Sequence, residues 1–283
     1  MSKIAFVTDS TAYCPEEFVK AHNLTVVPLN LRWDEDVYKD NVDITPQAFY
    51  EKLEKSNSMP STSQPSAGEF LEAYKSAAKG ADGVVVVVIS SGISGTYNSA
   101  VLAQGEFSQV PVVVIDSKVT AAGLVFMLQA MAEKARQGAS IDDMAKVAKD
   151  VHDSMGIYFV VDTLKYLHKG GRIGGASAIL GSALDLKPIL YLSEEGKIEA
   201  LEKVRTKKKA VKRLVEIAKE KAGGKKAYVG IQQANAPEDA EALKIEIASQ
   251  IDCQQIEIYP ISPVIGTHVG PGTLGVVVHT TQI

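Results

Sequence analysis

The sequence predicts an α/β fold in two parts: a parallel sheet flanked by helices in residues 1–153, and a mixed α/β unit in residues 154–283. Three observations predict it. Short β-branched runs alternate with helix-like segments through the first half. Two of those runs, residues 83–89 and 110–115, are almost continuously apolar, the pattern of strands buried on both faces. Near residue 150 the texture changes to glycine-rich loops, a hairpin and two helix–strand units, with no low-complexity linker and no internal repeat.

The elements follow in order. Residues 3–8 read as a first strand ending in the turn-forming Asp9-Ser10, and residues 25–31 as a second. A helix is expected over 66–79, with Ser66 as its N-cap and Glu69 completing a capping box. Further helices are expected over 94–106 and 119–137. Residues 156–162 form another strand, and glycines crowd 169–175. Residues 188–192 and 197–204, joined by Ser193-Glu194-Glu195-Gly196, read as a hairpin. A helix over 207–221 precedes a strand over 227–232, and a helix over 237–250 precedes a strand over 255–259. The last strand covers 275–280.

Composition narrows the function classes. Of 283 residues, 46% are hydrophobic and 23% charged, ordinary for a globular chain with a sizeable core. A net charge of -4 argues against a general nucleic-acid binder. The longest aliphatic run, residues 84–89, is far short of the roughly 20 residues a spanning helix needs. Asp9 interrupts the first apolar stretch, so the N-terminus does not read as a signal peptide. Cys14 and Cys253 have no metal-ligand spacing and read as reduced thiols, which makes a cytoplasmic protein the expectation.

Three catalytic signatures are approached and missed. Gly270-Pro271-Gly272-Thr273-Leu274-Gly275 has dinucleotide spacing, but it precedes a strand instead of following one, and no acidic residue lies downstream. Gly92-Ile93-Ser94-Gly95 approaches a nucleophile elbow, but threonine occupies position 96 where glycine is needed. Thr8-Asp9-Ser10 puts a carboxylate at the end of a strand, without the second aspartate of a phosphatase nucleophile. What remains is two hydroxyl-rich turns, Ser61-Thr62-Ser63-Gln64-Pro65-Ser66 and Ser90-Ser91-Gly92-Ile93-Ser94-Gly95-Thr96-Tyr97. Each precedes a helix, and the start of the helix after the second turn offers free N–H groups that suit an anion. With Arg172 and His268 in glycine-rich loops, they form a ring suited to one carboxylate. The absence of a matched acid and base favours binding over chemistry.

These motifs, in this order, resemble the DegV family. The matching pieces are Val7-Thr8-Asp9-Ser10-Thr11, Pro28-Leu29, Thr62-Ser63-Gln64-Pro65-Ser66 and Ser94-Gly95-Thr96-Tyr97-Asn98. They continue with Asp116-Ser117, Asp162-Thr163-Leu164, Lys169-Gly170-Gly171-Arg172-Ile173, Lys187-Pro188-Ile189 and Gly266-Thr267-His268-Val269-Gly270-Pro271-Gly272. The resemblance covers residues 3–281. It implies a two-domain α/β protein holding a long-chain fatty acid between its domains, with no cofactor, metal or catalytic residue. It further implies lipid transport or fatty acid metabolism, with some members presenting the carboxylate to a fatty acid kinase. The carboxylate would meet Thr62 and Ser94, supported by His268, Arg172 and Ser63. One departure is Ile93, where leucine is common in the family. The runner-up is a dihydroxyacetone-kinase-like phosphotransferase, which shares a related fold, although neither a phosphate-binding G-x-x-x-x-G-K-[ST] loop nor an acidic metal cluster is present.

Charge is segregated along the chain. Residues 203–226 hold eleven Lys/Arg and two Glu, a balance of +9, against -13 for the remainder. Within this window Arg205, Lys208, Lys209 and Lys212 form the basic face of a helix with an apolar stripe. Such a face suits an anionic membrane surface or an acidic kinase partner.

Overall fold

The computed structural model describes residues 3–181 and 186–282. The predicted spans 1–153 and 154–283 thus include residues 1, 2, 182–185 and 283, which lie outside the described residues.

In chain order, β1 (Ile4–Asp9), a 3-10 turn, α1 (Glu16–Ala21), β2 (Thr25–Val27), β3 (Asn30–Trp33) and β4 (Asp36–Lys39) come first. Next are α2 (Pro46–Lys55), β5 (Ser61–Ser63), α3 (Ala67–Ala77), β6 (Gly83–Val88), α4 (Thr96–Glu106), β7 (Val112–Asp116), α5 (Ala122–Arg136) and α6 (Met144–Ser154). The remainder is β8 (Gly156–Val160), α7 (Lys165–Lys169), a 3-10 turn over Gly174–Ile179, β9 (Lys187–Leu192), β10 (Ile198–Val204), α8 (Lys207–Ala222), β11 (Ala227–Gln233), α9 (Pro237–Ala248), β12 (Cys253–Pro260), α10 (Pro263–Val269) and β13 (Leu274–His279).

Among the described residues these strands form three sheets. The first is parallel throughout, in the order β2-β1-β6-β7. Its inner strand β6 is buried at all six positions, as the unbroken valine run requires. The second is a small antiparallel sheet, β4-β3-β5. The third is mixed, β10-β9-β8-β13-β11-β12, with β11 and β12 the parallel pair. The α/β class, the helix-flanked parallel sheet of the first half and the mixed α/β character of the second half are as predicted.

Helix α5 holds the layers together. Residues 122–128 are buried on every side of the helix, the pattern of one packed on all faces rather than one. It shares a core with Phe6, Val85 and Val87 of the parallel sheet and with Ile157, Tyr259 and Val277 of the mixed sheet. Close approach is built in at Gly230, where a Cβ would lie 2.9 Å from that of Ala122.

Three local expectations are corrected. The apolar run 25–31 divides at Pro28, which lacks a backbone donor, so its halves join different sheets. The turn carrying Thr62 is itself a short strand, β5, because Thr62 pairs with Leu31 of β3. His268 sits on α10, not in a loop; Ser262 caps that helix and Pro263 opens it. The glycine turn after it is structural. Gly270 has φ +77°, and a Cβ there would come 2.3 Å from the Tyr166 ring.

Candidate ligand-binding site

The parallel sheet reverses its strand order between β1 and β6, because β2 lies to one side of β1 and β6 to the other. Open α/β sheets bind ligands beyond the carboxyl ends of the strands at such a switch point. Here the carboxyl end of β6, at Ile89, opens into a cavity of about 800 Å³ of atom-free space, part of it open to solvent. Its body is apolar: Ile89 and Ile93 face Phe159 and Leu192 of the mixed sheet and Val264 and Ile265 of α10. One end is polar. Thr62, Ser63, Ser94, Arg172 and His268, which come from four separate chain segments, all line this one cavity.

Specific contacts bring these segments together. Thr62 Oγ1 lies 2.7 Å from His268 Nε2, joining β5 to α10. The Gln64 side chain packs against Gly95 at the start of α4, so close that a Cβ on Gly95 would lie 3.0 Å from the Gln64 amide. That contact ties the two hydroxyl-bearing segments. Gln64 is itself held from the other side, since Asn30 Nδ2 donates to its carbonyl at 3.3 Å. Arg172 Nε donates to the Ile93 carbonyl at 3.1 Å and Nη1 to Gly170 at 2.9 Å. Both acceptors are neutral, so among the described residues the guanidinium brings to the wall a positive charge without an ion-pair partner.

Burial and the nearby Arg172 charge push the His268 imidazole down to about 4, so it is neutral at pH 7. Its Nδ1 has no partner among the described residues and faces Gly170, where a Cβ would lie 2.1 Å away. An orphaned N–H costs more than a bare lone pair, which puts the single proton on Nε2. Nε2 then donates to Thr62 Oγ1, and the threonine proton is left for a ligand acceptor. Ser94 Oγ lies 2.8 Å from Thr96 Oγ1 and accepts from Thr96 N at 3.3 Å, and Gly95 gives the next N–H groups of α4 no side-chain cap. The polar end therefore offers hydroxyl donors, helix N–H groups and one cation, an arrangement for an anion.

Behind this end lie two fully buried carboxylates, Asp9, which the sequence marks as a strand-end carboxylate, and Asp40, which it does not mark. Asp9 accepts from Ile89 N at 2.6 Å and from Thr11 N at 2.9 Å, which fixes where β6 leaves the sheet. Asp40 accepts from Ser10 Oγ at 2.7 Å and from Val264 N at 3.2 Å, at the start of the helix that carries His268. Burial is the main cause that raises both carboxyls, Asp40 to about 7. Arg205, Lys208, Lys209 and Lys212 are not part of the cavity. They are exposed on and beside α8, whose buried stripe includes Leu214, Val215 and Ile217. Arg213 of that helix is neutralised by Glu202, Glu216 and Glu220. Among the described residues no group of three or more His, Cys, Asp or Glu is placed to hold a metal ion, and no helix is long and apolar enough to cross a membrane.

Comparison with known proteins assigns the scaffold. The family model described as uncharacterised protein, DegV family, matches residues 3–281. The chain belongs to the DegV family. A DegV domain-containing protein of Streptomyces coelicolor is 40% identical, over 97% of this chain and 98% of its own length. Protein DegV of Bacillus subtilis is 36% identical, over 96% and 98%. Among solved structures, DegV of Bacillus subtilis, described as a fatty acid binding protein, superimposes with a TM-score of 0.92 at 34% identity, covering 99% of this chain and 100% of that one. A DegV family protein from Thermus thermophilus, described by its fatty acid binding, gives 0.91 at 33% identity over the same shares. A stearic-acid-binding protein from Eubacterium ventriosum gives 0.88 at 26%, covering 99% and 98%.

Asp40 gives this DegV scaffold a measurable signature. A carboxyl raised in the folded state stabilises the fold fully below its ordinary value of 3.8 and progressively less as pH climbs to about 7. Asp40→Asn keeps an acceptor for Val264 N–H and cannot ionise. Urea unfolding is expected to show the variant gaining on the parent by up to about 4 kcal/mol between pH 4 and 8. A difference independent of pH would mean that Asp40 does not titrate in this interval.

Proposed function

We propose that the chain binds one long-chain fatty acid, such as palmitate or oleate, and acts in lipid transport or fatty acid metabolism without catalysing a reaction. The observation that carries this reading is the composition of a single cavity, an apolar body closed at one end by Thr62, Ser94, Arg172 and neutral His268. Solved relatives described as fatty acid binding DegV proteins support the same ligand class. Burial of each methylene contributes about 0.8 kcal/mol, so a palmitoyl-length chain gains on the order of 10 kcal/mol before ordering costs. Hydroxyl groups hold a carboxylate, or its protonated form, without an adjacent buried countercharge. Ser63, exposed at the edge of the same polar end, serves as a weaker support.

In this reading the protein is the carrier for a fatty acid kinase and works in the reducing cytoplasm. The acid is exchanged with an anionic bilayer or handed to the kinase through the basic face of α8, with Arg205, Lys208, Lys209 and Lys212 exposed. Each basic residue near such a surface contributes about 1 kcal/mol.

Titration of delipidated protein with palmitate tests the head group. Ser94→Ala and Thr62→Val are each expected to weaken binding by about 1–3 kcal/mol, with non-additive effects because both serve one carboxylate. Unchanged titrations in both would place the carboxylate elsewhere, and stabilisation by a nucleotide in place of palmitate would favour a phosphotransferase. Charge reversal at Lys208, Lys209 and Lys212 is expected to reduce sedimentation with anionic vesicles and leave palmitate affinity intact. Equal sedimentation at low salt would remove the docking role.

A further inference from the structure

Two further polar groups on the cavity wall come from chain segments other than those of its polar end. Gln232 of β11 is only 6% exposed, lines the cavity, and leaves its Nε2 without a hydrogen-bond partner among the described residues. Thr120, in the segment between β7 and α5, lines the same cavity with Oγ1 unpartnered. Neither is among the residues of the polar end, Thr62, Ser63, Ser94, Arg172 and His268.

Sheet register explains why Gln232 faces inward. Alternate residues of a strand share a face. Val229 and Ile231 pack into the core beneath α8 and α9, whereas Gly230 lies against Ala122 and Phe126 of α5. Gln232 shares the Gly230 face. It is registered with Gly275 of β13, which is registered with Phe159 of β8. Gly275 has no side chain, and a Cβ there would lie 3.2 Å from Gln232 Oε1 and 3.2 Å from Phe159 Cβ. The amide thus lies over bare backbone, beside Phe159. A leucine or methionine would fill this space without a stranded donor, and a plain saturated chain gives the amide nothing to bond.

Resting on the fatty-acid reading above, we propose that the acyl chain taken by this cavity carries a mid-chain hydroxyl, held by the Gln232 amide. The terminal torsion of glutamine is soft, so the amide reaches a ligand oxygen by rotation. A hydroxyl both donates and accepts, and so meets the amide whichever of its two ends points inward. A keto oxygen only accepts, and a double bond offers only a weak contact to an N–H.

Delipidated protein titrated with stearate and with hydroxystearates substituted at successive mid-chain carbons tests this. Without a partner, burying the hydroxyl costs about tenfold or more in affinity. With the Gln232 partner, at least one positional isomer is expected to bind as tightly as stearate or up to about tenfold tighter. Gln232→Leu is expected to invert the order, tightening stearate and weakening that isomer by about tenfold. Gln232→Met repeats the test with a more adaptable side chain. The proposal is overturned if every isomer binds more weakly than stearate to the parent protein, a result that stands even if neither variant folds. It is also overturned if a preferred isomer keeps its advantage in Gln232→Leu and Gln232→Met. Stearate binding without hydroxystearate binding defeats this inference alone, whereas failure of stearate and every isomer to bind defeats the fatty-acid reading as well.

Discussion

A carboxylate withdrawn from water must be met by donors, and at the carboxyl end of β1 this chain withdraws two. Asp9 and Asp40 are both fully buried, and no cation is among the groups that shift them. Backbone N–H groups and hydroxyls meet them instead. Asp9 takes the amide of Ile89 and so sets the direction in which the chain leaves β6 toward Ser94. Asp40 takes the amide of Val264 and so seats α10, which brings His268 to Thr62. The hydroxyl of Ser10 donates to Asp40 and accepts from Leu29 N, so the turn after β1 also anchors the entry to β3. Polar residues with no access to the ligand thereby fix the two segments that would touch it.

The cavity separates its duties by chemistry. Its walls come from three layers, the parallel sheet, the mixed sheet and α10, so an acyl chain would bury area that none of these buries alone. The polar end avoids a buried charge pair. Its histidine is neutral, and among the described residues its arginine is held by carbonyl oxygens rather than by a carboxylate. An ion pair inside the site would already satisfy the arginine and weaken its pull on an incoming anion.

Much of the fold is legible in the sequence because its periods are clear. The hairpin β9–β10 and the units α8–β11 and α9–β12 follow from alternation and from 3.6-residue spacing. The capping box at Ser66 and Glu69 fixes the start of α3 to the residue. The small sheet β4-β3-β5 and helix α10 are not legible. Their strands are three or four residues long and the helix seven, too short for periodicity to register. In the site, Thr62 and Ser94 stand out because hydroxyl-rich turns before helices are compositionally unusual. Asp40 gives no such signal, since its role depends on a contact with Val264, 224 residues away. Gln232 is hidden in an apolar strand. Only the register that places it opposite Gly275 makes its amide conspicuous.

The central claim is that the cavity between the sheets exists to hold a fatty acid. Native mass spectrometry of gently purified, undenatured protein measures this most directly, because burial of a long acyl chain retains the ligand through purification. The account predicts one long-chain fatty acid per chain, released on denaturation and lost from a Thr62→Val, Ser94→Ala double variant. A bare chain that takes up no added fatty acid, or a bound nucleotide in its place, would contradict it.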